Sequence, residues 1–162
     1  MAEAHVLDEG LLARLRTSGE DITWAARLLA PWPHTSADDI WSAHHQLAHL
    51  IAVETENYHV RIRRILAEDL PALVSWDTEQ FNASYTAEGD IDSLVSAFSA
   101  ARTTTVALFE GLSSEQWARR AVWPDGTTID LAWLAEKALW HTLDHTQQMV
   151  DLHQGFEPIQ GQ

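Results

Sequence analysis

The sequence predicts an all-α protein built as a four-helix bundle. Three observations point there. Four separate stretches space their apolar residues three and four positions apart, the step of a single helical face. Prolines and glycines fall where those stretches stop. No segment sustains the period-two alternation of β-branched residues that a half-buried strand needs.

The first helix is expected from about Asp8 to Ala30, with Leu11, Leu15, Ile22 and Leu29 on one stripe. Gly19 weakens its middle and invites a kink. Pro31 and Pro33 end it, because proline lacks the N–H and restricts the residue before it. The second is expected from about Asp38 to Glu68, with Ser36 and Asp39 as a capping pair. Its stripe is Ile40, Leu47, Ile51, Tyr58, Ile62 and Ile65, and Pro71 marks its end. The third runs from about Asp90 to Glu110 on Ile91, Leu94, Phe98, Ala101, Thr105 and Leu108, with Gly111 as its stop. A short helical turn follows at Ser113 to Trp117. The fourth runs from about Thr128 to His153, after the turn Pro124-Asp125-Gly126, with Thr127 and Asp130 at capping-box spacing and Gly155 just past its end.

The connections suggest the order. A short link makes the first two helices antiparallel. Between the second and third helices lies a long connection of roughly twenty residues, far above the usual few in a bundle. That length crosses the whole bundle, so those two helices run parallel and the order is up-down-down-up.

Composition bounds the rest. A chain of 162 residues reads as one domain, residues 1–162, able to bury a core unaided. It has no cysteine, so disulfides, thiolate metal sites and a cysteine nucleophile are excluded. The net charge of -14 repels phosphate backbones and anionic lipid, which argues against nucleic-acid and membrane partners. No apolar run approaches the ~20 residues of a membrane span. Met1 to Leu12 carries acids rather than a basic leader, so a cytoplasmic location is expected.

Nine histidines invite a search for ligand spacing. His141 and His145 are four apart on the fourth helix, so both rings leave one face. Leu131, Leu134, Ala138 and Leu152 share that arc, which turns the pair toward the core. Buried imidazoles cost free energy unless their nitrogens are satisfied, and one metal ion satisfies both. His45 and His49 form a matching pair on the second helix, on a stripe with Ser42, Val53, Glu56 and Val60. One histidine from that helix plus the later pair makes three nitrogen donors, the open arrangement of catalytic zinc. A His-x-x-x-His pair is also common among plain core or rim histidines, so spacing alone leaves both readings open. His44 reads as a solvated neighbour, and His5, His34, His59 and His153 as surface residues. His45 is open between fourth ligand, orienting partner and pocket mouth.

The run His49-Leu50-Ile51-Ala52-Val53-Glu54, continuing through Tyr58, Arg61, Arg63, Arg64, Ile65, Leu66, Glu68, Asp69 and Pro71 to Trp76-Asp77, resembles the DinB-like superfamily, which includes the YfiT-type metalloenzymes. So does the closing run from Leu139 to Gln148, which holds the His-x-x-x-His signature, with Pro124-Asp125-Gly126 before it. The resemblance covers nearly the whole chain in order and spacing. It implies a four-helix bundle of up-down-down-up order. It also implies one divalent metal ion held by His49, His141 and His145. It implies no DNA chemistry.

Members of that family include metal-dependent transferases that use small thiols such as bacillithiol, mycothiol or glutathione. The expectation is therefore a metal-dependent thiol transferase or hydrolase acting on a small molecule, with Zn2+ or Ni2+. Glu56, Asp144 and His45 are candidate acid–base or orienting groups, and solvated carboxylates are the plainer reading for the first two. The alternative is a non-catalytic stress-response or binding module with a structural metal in a closed shell. A bundle without metal is the third. Trp133, Trp140, Leu143 and Val150 lie on the other side of the fourth helix. Either a neighbouring loop covers them, for instance the connection with Trp76 and Phe81, or they form a homodimer contact.

Overall fold

Short polar side chains that turn back onto the backbone set where the helices begin. The computed structural model describes residues 10–156; His5 and the expected start at Asp8 lie outside them. Helix α1 is Gly10–Leu28, α2 is Ala43–Ala52, α3 is His59–Ala67, α4 is Thr78–Ser84, α5 is Ile91–Phe109, α6 is Ser114–Trp117 and α7 is Leu131–Phe156. Strands β1, Arg120–Val122, and β2, Thr128–Asp130, pair antiparallel. A π-helical turn, Val53–Tyr58, joins α2 to α3, so the two act as one long rod. That rod, α1, α5 and α7 are the four helices of the bundle. None of the helices among the described residues is long and apolar enough to cross a membrane.

Three boundaries, and one strand, differ from the sequence expectation. The second helix starts at Ala43, because Ser42, not Ser36, accepts the free N–H of His45 at 3.2 Å. Upstream, Ala37 and Ile40 close a tight turn and Asp38 takes a φ of 46°, which no helix accommodates. The fourth helix starts at Leu131, capped by Asp130 accepting from the Trp133 N–H at 2.8 Å. Thr127 turns instead to the Asp125 carboxylate, and Thr128–Asp130 becomes the strand that the expected all-helical pattern missed. Three-residue strands are too short for a period-two signal to register. Gly155 lies inside α7 rather than beyond it.

The long connection is pinned, not loose. Leu73 N–H donates to the Val122 carbonyl at 2.8 Å, and Val122 N–H donates to the Pro71 carbonyl at 2.9 Å. From α3, Arg61 donates to the Val74 carbonyl at 2.7 Å and Arg64 to the Ala72 carbonyl at 3.0 Å. These bonds satisfy backbone that a twenty-residue loop would otherwise leave to water, and they fix the first part of the connection against β1 and α3.

The core has two apolar clusters with a polar layer between them. One gathers Leu15, Ile62, Ile65, Phe109, Leu131 and Leu134; the other gathers Ile22, Leu29, Leu47, Leu50, Phe98 and Met149. α1 and α7 give their early turns to the first cluster and their late turns to the second, and the other two rods do the reverse. Where each helix crosses from one cluster to the other it carries a buried polar residue: Ser18, Glu54, Arg102 and Thr105, Thr142. Arg102 knots them together. It donates to Glu54 Oε1 at 2.6 Å, to Thr142 Oγ1 at 2.6 Å, to Ser18 Oγ at 2.9 Å and to the Leu15 carbonyl at 3.0 Å. Thr105 donates to the other Glu54 oxygen. Gly19 serves this knot. A Cβ there would come 3.2 Å from Arg102 Cγ, so the glycine matters for close approach rather than for a kink.

Candidate metal centre

α2 and α7 bring three imidazoles together beside the polar layer. Ser42 fixes the phase of α2, which turns Gln46 and His49 inward one turn apart. Thr142 is tied to Arg102, and that bond anchors the turn of α7 that carries His141 and His145. His141 Nε2 lies 3.3 Å from His49 Nε2 and 3.2 Å from His145 Nε2. One donor atom from each ring falls within 4.8 Å of the other two.

That geometry fits a divalent ion. Nitrogens about 2.0–2.1 Å from a tetrahedral metal stand roughly 3.3 Å apart. A hydrogen bond cannot serve the arrangement as well, since the single Nε2–H of His141 reaches only one neighbour. The tautomer of His145 is fixed from behind. Gln46, itself fully buried, donates its amide NH2 to the Trp41 carbonyl at 2.8 Å, so its Oε1 faces His145 Nδ1 at 2.9 Å and accepts from it. The proton on Nδ1 leaves the Nε2 lone pair pointing at the cluster, the arrangement that metal-binding histidines show. Burial, then the neighbouring imidazoles, pushes His145 down to about 3 and His49 down to about 4. Burial, then Lys137, lowers His141. All three rings are thus held neutral and ready to donate lone pairs.

The long connection lies over this cluster. Trp76 and Phe81 sit edge-on to the His49 ring, with centroids 5.3 and 5.6 Å away. A cavity of about 290 Å³ opens beside His49 and His141, walled by Val53, Tyr58, Trp76 and Trp123. A larger cavity of about 640 Å³ lies between α1 and α5, lined by Trp24, Arg16, Glu20 and Glu110, away from the histidines. Size does not select the site here; the chemistry does.

The remaining expectations divide. His45 does not join the three. It is stacked between Trp41 and Tyr85, at 4.2 and 4.1 Å, and its Nε2 meets Asn82 Oδ1 at 3.0 Å. That makes it part of the seat for α4. Glu56 and Asp144 are exposed, which favours the solvated reading for both. His44 is not a solvated neighbour but buried, meeting the Tyr85 hydroxyl at 2.5 Å and the Glu88 and Gly89 carbonyls at 3.0 Å. His59 is not at the surface either; its Nε2 meets the Ala101 carbonyl and Thr105 Oγ1. Both satisfy backbone across an interface, which no local spacing encodes. Trp76 and Phe81 cover His49 instead of the outer stripe of α7. There Trp133 packs against Trp123, with centroids 4.9 Å apart, and Trp140 stays 63% exposed. Sequence reasoning passed over Gln46 and Arg102. The signal for Gln46 was available in its position three residues before His49 on the same face.

The family model of the DinB superfamily matches residues 7–149. The structure of YfiT from Bacillus subtilis, described as a probable metal-dependent hydrolase with an unusual four-helix bundle topology, superposes with a TM-score of 0.83 at 17% identity, over 94% of this chain and 91% of that one. A mycothiol-dependent maleylpyruvate isomerase, solved as its H52A mutant, superposes with a TM-score of 0.70 at 15% identity. The match covers 92% of this chain but 63% of the isomerase. At these identities the two structures establish the shared bundle fold. The comparison with curated proteins found no match.

Proposed function

The chain belongs to the DinB superfamily, and we propose on that footing that it is a metalloenzyme acting on a small molecule, with zinc or nickel held by His49, His141 and His145. One observation carries the reading: three neutral imidazole nitrogens, 3.2 and 3.3 Å apart, converge at the edge of a cavity. An ion bound there supplies a Lewis acid that makes a thiol or water nucleophilic near neutral pH.

The chain's own residues do the rest. Gln46 holds the His145 proton away from the cluster. Trp76 and Phe81 exclude bulk water from one side. The cavity leaves room on the other for a substrate, and three protein donors leave coordination positions free, which favours a thiol transferase or a hydrolase over a structural metal. We further read the protein as a single-domain, cytoplasmic homodimer. The net charge of -14 suits a soluble interior environment, and Trp140 is a large apolar side chain in need of a cover.

Two measurements test the proposal. Protein purified without a histidine tag should carry one equivalent of zinc or nickel by elemental analysis. Metal-loaded wild type should transfer a small thiol to an electrophile, or hydrolyse an ester or amide, at rates that His145→Ala abolishes. Absence of metal, or equal rates for wild type and variant, sinks it.

A further inference from the structure

The cavity beside the three histidines is positively lined in a strongly negative protein. Arg61 and Lys137 both face it, and no aspartate or glutamate does. The chain as a whole has 24 acidic residues against 10 basic ones. Both cations gather on one indole. The Arg61 guanidinium lies 4.3 Å and the Lys137 ammonium 5.4 Å from the Trp123 ring centroid. Each gains from the ring face, yet two like charges drawn to one ring repel each other. Lys137 makes no ion pair among the described residues. Arg61 is only 7% exposed, and of its five N–H donors one is given to the Val74 carbonyl at 2.7 Å. A buried guanidinium with unspent donors beside an open cavity is incomplete without an anion, and the exposed Lys137 ammonium adds a second positive charge at the same place.

We infer that Arg61 and Lys137 form an anion subsite next to the metal centre, and that the substrate is a small organic carboxylate. The guanidinium fork matches a carboxylate, and the ammonium adds a second charge. Trp76, Trp123 and Tyr58 wall the cavity with aromatic surface, which suits a carboxylate on an apolar or aromatic body. Its volume of about 290 Å³ admits a small molecule, not a peptide. The Asn57 side-chain oxygen, buried with no partner among the described residues, offers one acceptor to a hydroxyl or amine on the same ligand. That this ligand is a substrate rests on the metalloenzyme reading; that the subsite binds an anion does not.

Benzoate and its neutral isostere benzamide separate the two ideas. In metal-free protein, titration calorimetry should give millimolar binding of benzoate and at least about tenfold weaker binding of benzamide. Lys137→Gln and Arg61→Gln should each cut benzoate affinity about fivefold or more, a loss in the range measured for charge-assisted bonds. Lys137 is exposed and packs little, so its variant reports on the anion even where Arg61→Gln loosens the connection. In cobalt-loaded protein the ring protons of benzoate should relax faster than in the metal-free form. Equal binding of benzoate and benzamide, binding of neither, or benzoate binding that both variants leave unchanged overturns the inference. Failure to take up cobalt while benzoate selectivity persists would fault the metal reading and leave the anion subsite standing.

Discussion

Removing the charge of Glu54 tests how the bundle is locked. Glu54 is 1% exposed and Arg102 4% exposed, and the carboxylate is the one anion that Arg102 meets among the described residues. Replacing Glu54 with leucine leaves a guanidinium in the core with hydroxyls and a carbonyl but no counter-charge. Breaking one side of such a buried pair costs about 3–5 kcal/mol, against a total stability of about 5–15 kcal/mol. For a chain of this size that lowers the melting temperature by roughly 6–20 °C. The companion variant Glu54→Leu/Arg102→Met should lose less than the single one. Ser18 and Thr142 still donate to the Leu15 and Ala138 carbonyls at 2.8 and 3.0 Å, and Thr105 still donates to the Ala101 carbonyl at 3.2 Å. Removing the arginine therefore strands no hydroxyl. Urea unfolding of both variants, with the slope checked against wild type, reads the difference. A single variant that loses less than about 1 kcal/mol, as an exposed pair would, refutes the reasoning, and so does a double variant that loses more than the single one.

Other predictions are more direct. Gln46→Leu should keep the fold by circular dichroism and weaken zinc binding about 10–100-fold, because nothing then fixes the His145 tautomer; unchanged zinc affinity would contradict that. His141→Ala removes the ring that both others approach and should leave the purified protein without its equivalent of metal, a result that elemental analysis shows. The pH response has a definite sign in metal-free protein. Burial holds His49 at about 4, below the 6.5 of an unfolded imidazole, so the unfolded chain binds protons first as pH falls. The stability from the neutral ring is complete above pH 6.5 and is lost between 6.5 and about 4. His49→Phe should flatten that part of the melting-temperature profile, and identical profiles would count against it. Trp140→Glu should convert a dimer to a monomer in sedimentation velocity; a wild type already monomeric at micromolar concentration removes the dimer.

Much of this was legible in the chain, and the illegible part has physical causes. The four bundle helices follow from apolar spacing and from stops such as Gly111, because burying one face is what forms a helix in a small protein. The meeting of His49 with His141 and His145 could be anticipated once a family resemblance joined two stretches some ninety residues apart. Spacing alone gave only two separate pairs and no reason to prefer His49 over His45. What selects His49 is the phase of α2, and that phase depends on Ser42 as the cap, where the sequence pointed to Ser36. His44 and His59 were misjudged because their partners are backbone carbonyls on other elements. Arg102 is invisible to a hydrophobic pattern, which treats every arginine as outward-facing. The strand Thr128–Asp130 is too brief to print a period.

The π-helical turn at Val53–Tyr58 has a consequence for comparing this chain with others. In an unbroken α-helix, one added residue rotates all that follows by about 100° and advances it by about 1.5 Å. A π turn takes up such a residue locally, so the half of the rod bearing His49 and the half bearing Arg61 keep the azimuths that a plain α-helix one residue shorter would give them. A homologue lacking one residue between positions 53 and 58 should therefore hold both the imidazole and the arginine where they stand here, and an alignment gap at this point marks a smoothed helix rather than a change of ligand.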